Sequence, residues 1–146
     1  MKCAIARTTL VVAFVTVFAL GIVSRAQAQC SNATLHGSFG YTSTGVLLPV
    51  YAQHFAGPFT EVGRQTFDGS GNTQATATLS ANGNIQKVTI EGTYIVNADC
   101  TGSMTLNVSP LGVTVHVDFV IDDQGAEVRA IGTDAGVVES RVYRKQ

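Results

Sequence analysis

"KVTIEGTYIVNADCTGSMTLNV", residues 87–108, alternates apolar and polar side chains on both sides of a short turn. The turn, "DCTG" at residues 99–102, contains Asp and Gly, which tolerate the backbone conformations that tight hairpins need. One parity of the flanking segments is apolar: Val88, Ile90, Tyr94, Met104, Leu106 and Val108. Because two residues is the period of a β-strand, the stretch predicts two antiparallel strands, each with one dry and one wet face.

The same pattern of alternating segments and turns continues through most of the chain. Turn-forming residues recur at "DGSGN" (68–72), "ANGN" (81–84), "SPLG" (109–112), "DDQG" (122–125) and "TDAG" (133–136). Their spacing is typical of a strand meander. The segments between them predict eight strands, near residues 34–46, 59–68, 72–81, 84–97, 102–109, 113–122, 126–133 and 137–145.

These segments predict an all-β fold. Sequential strands joined by short turns pair with their neighbours, and closure removes the two exposed edges that an open sheet would leave. We therefore expect an antiparallel up-and-down β-barrel of about eight strands with a lipocalin-like outline. The alternative is a β-sandwich, whose long crossover connections are not evident in the sequence. The interior of such a barrel is filled by side chains or holds one small ligand.

The N-terminus has the features of a secretory signal peptide. Lys2 and Arg7 precede an apolar run, and "AQA" at 26–28 supplies the small residues of a cleavage site. The apolar run is shorter than the roughly 20 residues that a membrane-spanning helix needs. We therefore predict a signal peptide over residues 1–28, a single barrel domain over residues 29–146, and no stable membrane span after cleavage. The expected location is secreted or periplasmic.

Cysteine use agrees with export. Cys3 lies in the predicted signal peptide, which leaves Cys30 and Cys100 in the mature chain. An even pair in an oxidising compartment predicts a disulfide. The alternative, a zinc site, lacks a CxxC motif, and the three histidines are scattered along the chain.

Charge and motifs argue against several classes of partner and give little support to catalysis. The chain has 9 basic and 10 acidic side chains, and its basic residues cluster only at the C-terminus, so nucleic acid is not an expected partner. No GxSxG, HExxH or P-loop motif is present, and we predict no cofactor, no metal and no catalytic residue. "DGSGN" resembles the start of a calcium loop, but Leu79 stands where the bidentate Glu is needed, which favours a hairpin turn. The oligomeric state is left open.

The charged residues of the strands are interpreted as solvated pairs on the outer face of the barrel. His116 and Asp118 lie two residues apart and share a face. The others are Arg64, Glu91, Arg129, Glu139 and Arg141. Cross-strand pairs in water contribute little to stability. Any of them that turned inward would orient a polar group of a ligand.

The connection "LLPVYAQHFAGPF", residues 47–59, is mostly apolar, contains two prolines and fits neither a strand nor a helix. Long loops without secondary structure are usually functional or disordered, and its large apolar side chains argue against disorder. We expect it to fold back on the barrel mouth as a plug, as a lid over a ligand cavity, or as a protein-binding surface. The candidate ligand-binding residues are Tyr51, His54, Phe55, Arg64 and Tyr94.

Three motifs carry a resemblance to known proteins. They are "C-x4-L-x-G-S-F-G-Y-x3-G" at 30–45, "VGRQTFDGSGN" at 62–72 and "GTYIVNADCTG" at 92–102. Together they resemble a group of small, uncharacterised secreted bacterial proteins, and the resemblance covers most of the mature chain. The expected barrel is also similar in outline to lipocalins and allene-oxide-cyclase-like barrels, although the lipocalin Gly-x-Trp motif is missing because the chain has no Trp. An outline implies ligand binding by analogy of fold alone.

These features predict a secreted, non-catalytic β-barrel that binds a small apolar or amphipathic molecule at its mouth. One alternative is a structural or adhesive cell-envelope module with a filled core. Another is a cofactor-free isomerase or cyclase. Cavity volume discriminates the first two, because a closely packed interior with no space above about 300 Å³ would disfavour ligand binding. The isomerase needs an ionisable side chain, such as His54 or Arg64, that faces this cavity.

Overall fold

The computed structural model describes residues 29–51 and 54–146, so the predicted signal peptide lies outside the described residues. Eight strands make up most of the described chain. They are β1 (His36–Leu47), β2 (Gly57–Asp68), β3 (Asn72–Ala81), β4 (Asn84–Val96), β5 (Thr101–Ser109), β6 (Val113–Asp122), β7 (Glu127–Gly132) and β8 (Val137–Lys145). Their bounds differ from the predicted ones by at most two residues. None of the described residues belongs to a helix with the length and apolar character to cross a membrane.

The strands close into a barrel in which each strand is antiparallel to both neighbours. β1 completes the circle by pairing with β8, so that Tyr41 stands opposite Tyr143 on one side and opposite Gly63 of β2 on the other. The predicted β-barrel is thus confirmed, and the β-sandwich alternative is wrong.

In the middle strands, β3 to β6, the alternate side chains predicted to be apolar point into the barrel. The buried members are Ala75, Ala77, Leu79, Val88, Ile90, Tyr94, Met104, Leu106, Val108, Val115, Val117, Phe119 and Ile121. Their neighbours in sequence are mostly exposed. The alternation therefore sets which side of each of these strands forms the core.

The tight turns use the residues that the sequence offers for positive φ. Asn82 and Gly83 join β3 to β4 with φ of 47° and 84°, as a two-residue hairpin loop requires. At the β2–β3 turn, Oδ1 of Asp68 accepts backbone N–H bonds from Ser70, Gly71 and Asn72 at 2.7, 3.0 and 2.9 Å. The "DGSGN" segment is therefore a hairpin turn stabilised by its own aspartate.

One end of the barrel, here called the closed end, carries the β2–β3, β4–β5 and β6–β7 turns and is filled with aromatic rings. Phe67 packs edge-to-face on Phe39 and on Tyr94, with ring centroids 5.3 and 5.2 Å apart. A 3₁₀ turn over Asn32–Thr34 lies across this end, and the Tyr94 hydroxyl donates to its backbone. A disulfide joins Cys30 before this turn to Cys100, with Cα atoms 5.0 Å apart, as predicted.

The opposite end, here called the mouth, carries the β1–β2 connection and the β3–β4, β5–β6 and β7–β8 turns. The described part of the connection folds back over this end. The backbone N–H of Leu48 donates to the carbonyl oxygen of Gly136 at 2.8 Å, and the Tyr51 hydroxyl donates to the carbonyl oxygen of Thr114 at 3.3 Å. Phe55 packs against a small apolar cluster that contains Phe59.

Candidate functional site

A small cavity lies inside the barrel, directly beneath the mouth. Its volume is about 70 Å³. Most of its wall is apolar, contributed by Leu47, Phe59, Leu79, Val108, Leu111, Val113, Val115 and Val137. Tyr51 of the β1–β2 connection also lines it, and Glu61, Glu139 and Arg141 line it with charged groups. The cavity is thus an apolar chamber with ionisable side chains in its wall.

The volume of the cavity is smaller than a site for an ordinary small ligand requires. Its 70 Å³ falls well below the roughly 300 Å³ that an ordinary ligand needs. The interior of an eight-stranded barrel is only just wide enough for its own side chains, and here the large residues Phe59 and Leu79 occupy much of the mouth. A larger depression, about 690 Å³, is lined by surface residues of β5 to β8 that include Asp118 and Arg129.

Five neighbouring buried polar side chains are here called the charged cluster: Tyr41, Ser43, Glu61, Glu139 and Arg141. Three of them, Glu61, Glu139 and Arg141, form the floor of the cavity. Oε1 of Glu61 accepts a hydrogen bond from the Tyr41 hydroxyl. Oε1 of Glu139 accepts one from the Ser43 hydroxyl at 2.5 Å and another from Nε of Arg141. The exposed fractions of Glu61, Glu139 and Arg141 are 7, 7 and 4%.

Strand parity and register bring these side chains together. On β2, Glu61 has the same parity as the buried Phe59 and Phe67. In the barrel register, Ser43 of β1 stands opposite Glu61 on one side and opposite Arg141 of β8 on the other. The three strands therefore converge on one patch of the inner wall.

Gly63 makes room for the hydrogen bond between Tyr41 and Glu61. A Cβ atom at this position would lie 2.7 Å from the Tyr41 ring and 2.6 Å from the carbonyl oxygen of Thr76. Because contacts this short do not occur at a real Cβ, any larger residue would push the ring away. The glycine thus fixes where the Tyr41 hydroxyl points.

Burial and neighbouring charge set the protonation of the cluster. Burial raises the pKa of Glu61, and the negative Glu139 adds to this, while Arg141 and the Tyr41 hydroxyl oppose it. Burial also raises the pKa of Tyr41, so its hydroxyl keeps its proton. For Arg141, burial alone lowers the pKa, but Tyr143, Glu139 and Glu61 raise it above its ordinary value. Arg141 is therefore cationic.

Some polar atoms inside the barrel lack a hydrogen-bond partner. Within the described part of the chain, three buried atoms have no hydrogen-bond partner: Nη1 of Arg141, the Tyr143 hydroxyl and Oε1 of Gln65. Buried polar groups without partners cost stability.

The structure brings only part of the predicted site to the cavity. Tyr51 lines it, and Phe55 packs against the apolar cluster beside it. His54 is exposed, and Arg64 lies on the outer face, where it donates to Oε1 of Gln146 at 2.9 Å. Tyr94 is buried at the closed end. Arg64 is excluded from the interior because its β2 neighbours Glu61, Gly63 and Gln65 take the inward parity.

The interpretation of the strand charges as solvated pairs is correct for some residues and wrong for others. His116 is exposed and pairs with Asp134 at 2.7 Å, and Arg129 pairs with Asp122 on the surface. Glu139 and Arg141, in contrast, are buried inside the barrel. The available signal was their shared parity with Tyr143, a large aromatic residue that belongs in a barrel core.

Comparison with known proteins identifies the fold and nothing finer. No protein-family model and no curated protein sequence matches the chain. Among solved structures, the chain is similar to a redesigned β-barrel, mFAP1, bound to DFHBI. The two share 16% sequence identity with a TM-score of 0.54, over 78% of this chain and 97% of that one. At this identity the likeness supports the barrel architecture alone.

Proposed function

We propose that the protein is a non-catalytic binding barrel that holds a small apolar or amphipathic molecule in the cavity beneath its mouth. The observation that carries this proposal is an apolar cavity with a buried charged cluster as its floor. The apolar wall suits the body of a ligand, and the charged cluster suits its polar end. Pockets that combine apolar walls with a few placed polar groups are typical of small-molecule sites.

The energetics of the charged cluster support a role beyond stability. Moving one ion into a protein interior costs several kcal/mol, and well-packed apolar residues of similar volume are often equally stable. If the interior served stability alone, we would expect apolar side chains to fill the barrel from the closed end to the mouth. The chain instead places Glu61, Glu139 and Arg141 in that half.

The size of the cavity restricts the ligand. A volume of 70 Å³ is about a quarter of the roughly 300 Å³ that an ordinary ligand needs. The expected occupant is therefore a molecule of a few heavy atoms, or the end of a longer one. A longer ligand would have to displace Tyr51, whose hydroxyl contact with Thr114 is 3.3 Å.

A cavity-filling substitution tests the proposal. Val115 lines the cavity, whereas Val62 is 59% exposed on the outer face. We expect native mass spectrometry of protein purified from its own host to show a retained small molecule. Val115→Phe should lose it and Val62→Phe should keep it. The milder Val108→Ile serves as a second cavity-filling variant, and circular dichroism reports whether each variant folds.

A filled structural or adhesive module is the second candidate, because the small volume of the cavity favours it. The same experiment separates the two. If no preparation retains a molecule, and folded Val115→Phe or Val108→Ile protein behaves as the parent does, the binding proposal is contradicted and the structural module takes its place.

We further propose that the protein acts outside the cytoplasm. The disulfide between Cys30 and Cys100 supports this, because such bonds persist in oxidising compartments. We expect the mature protein to begin at Gln29 and to contain no free thiol, as intact-mass measurement before and after reduction would show. A cytoplasmic pool with residues 1–28 retained and the thiols of Cys30 and Cys100 free would contradict it.

A further inference from the structure

The charged cluster contains two acidic side chains and one basic side chain. Among the described residues, the ionisable groups of this cluster that line the cavity are Glu61, Glu139 and Arg141. Arg141 forms its ion pair with Glu139. Of the described residues, no cationic nitrogen lies within 4.0 Å of a Glu61 carboxylate oxygen. Glu61 is thus the carboxyl group without a direct ion pair, and the single charge of Arg141 acts on both carboxyl groups.

Glu61 also has unused hydrogen-bonding capacity. Its Oε1 accepts from the Tyr41 hydroxyl, while Oε2 receives no hydrogen bond from the described residues. The residue lines the cavity together with the aromatic rings of Phe59 and Tyr51. Aromatic faces attract cations, most strongly where water is excluded. The free side of Glu61 therefore faces a chamber that suits a positive group.

We propose that the ligand is a small aliphatic amine, whose ammonium group pairs with Glu61 and whose carbon chain fills the apolar cavity. The inference rests on the proposed binding function and names its ligand class. An ammonium would bring the buried charges to balance and donate to Oε2 of Glu61. Charge-assisted hydrogen bonds of this type are stronger than neutral ones.

Other polar ends fit the cavity less well. A carboxylate would place a third negative charge beside Glu61 and Glu139. The Nε of Arg141 already donates to Glu139, and its unpartnered Nη1 is a buried atom. An alcohol can hydrogen-bond to Glu61 but leaves its charge unbalanced. The expected affinity for the cavity therefore decreases from the amine to the alcohol to the carboxylate.

Amine binding should depend on pH through Glu61. The charged or titratable groups around it are Tyr41 from β1, Tyr51 from the β1–β2 connection, and Glu139, Arg141 and Tyr143 from β8, while β3 contributes the uncharged Leu79. An ammonium favours the ionised carboxylate, and burial raises the pKa of Glu61 in the free protein. The affinity for an amine should therefore increase as pH rises through that pKa, with release of a proton.

A matched three-carbon series tests the proposal on the mature protein. We would titrate propylamine, 1-propanol and propionate and follow the methyl resonances of Val108 and Val115 by NMR. We expect propylamine to bind about tenfold more tightly than 1-propanol, and propionate to bind most weakly. Glu61→Gln should abolish the preference for the amine. Glu91→Gln, on the exposed outer face of β4, should retain it.

The outcomes separate this inference from the proposed function. If all three compounds bind equally, or propionate binds best, the amine proposal is overturned while the binding function stands. If none of the three shifts the cavity resonances, the binding function fails as well. In case Glu61→Gln does not fold, the pKa of Glu61 is measured by NMR in the parent protein, and propylamine affinity that does not rise as pH increases through the measured pKa overturns the amine proposal.

Discussion

At the residue scale, the carboxyl group of Glu61 is the most consequential part of the molecule. Burial raises its pKa, so the folded protein holds a proton under conditions in which the unfolded chain has lost it. The stability from this proton is fully present below the unfolded pKa of 4.5 and is lost as pH rises through the folded pKa. We therefore expect the parent protein to lose stability relative to Glu61→Gln as pH rises.

Urea unfolding of both proteins at a series of pH values measures this difference. Glu91→Gln is the control, since it removes an exposed carboxylate from the outer face of β4. A gap between parent and Glu61→Gln that stays constant from acid to neutral pH would show that Glu61 is not buried as described.

The pKa of Asp68, a surface residue, is shifted in the opposite direction. Hydrogen bonds from the Asn72 side chain and from backbone N–H groups of Asn72, Ser70 and Gly71 lower its pKa to about 2. The stabilising effect of the ionised form is present above the unfolded pKa of 3.8 and is lost as pH falls through about 2. NMR titration of the Asp68 carboxyl should show this value, and Asn72→Ala should raise it. An ordinary value in the parent protein would mean that the turn is not formed as described.

Gly63 is the residue on which the geometry of the charged cluster depends. An added methyl group would clash with the Tyr41 ring and the Thr76 carbonyl, so Gly63→Ala should destabilise the protein by about 1–3 kcal/mol. Gly40→Ala is the control, because there the nearest atom belongs to the flexible side chain of Gln146. Equal denaturation midpoints for the two variants would argue against the tight packing of Tyr41 over Gly63.

At the element scale, the disulfide fastens the N-terminal segment to the β4–β5 turn. The pair closes a loop of 70 residues, and such a cross-link typically stabilises a fold by about 2–4 kcal/mol. We expect the double variant Cys30→Ser/Cys100→Ser to unfold at lower urea concentration while it keeps its strand content, because the barrel ladder is independent of the bond. An unchanged midpoint, or loss of β-structure in water, would contradict this division of roles.

The strands themselves were predictable because turns and alternation act locally. Positions such as Asn82-Gly83 mark hairpins by their backbone preferences, and alternation in β3 to β6 separates dry from wet faces. In β8 the alternation of apolar and polar residues does not show which face points inward, and only the parity of Tyr143 indicates it. Its outward residues Val138 and Val142 are more apolar than the inward Glu139 and Arg141, so hydrophobicity alone assigns the faces in reverse.

The candidate site was predictable in position and mostly not in composition. The apolar character of residues 47–59 indicated that they cover the mouth, and Tyr51 does line the cavity there. The charged residues beneath it come from β2 and β8, which are distant in sequence and adjacent only after the barrel closes. A sequence shows which residues share a strand face, but only closure and register show that Ser43 stands between Glu61 and Arg141.

At the scale of the whole molecule, the interior divides into two halves with different roles. The closed end holds interlocked aromatic rings, the 3₁₀ turn and the disulfide, which together stabilise the barrel. The mouth half holds the small cavity and the charged cluster. The stability supplied by the closed end thus offsets the free-energy cost of the buried charges in the mouth half.

The most direct test of the central claim is a crystal structure of the protein isolated from its own host. We predict non-protein density between Glu61 and Tyr51, with the charged cluster shielded from solvent and the barrel closed around it. A mouth filled by protein side chains alone, or a Glu61 carboxylate open to bulk water, would contradict the claim.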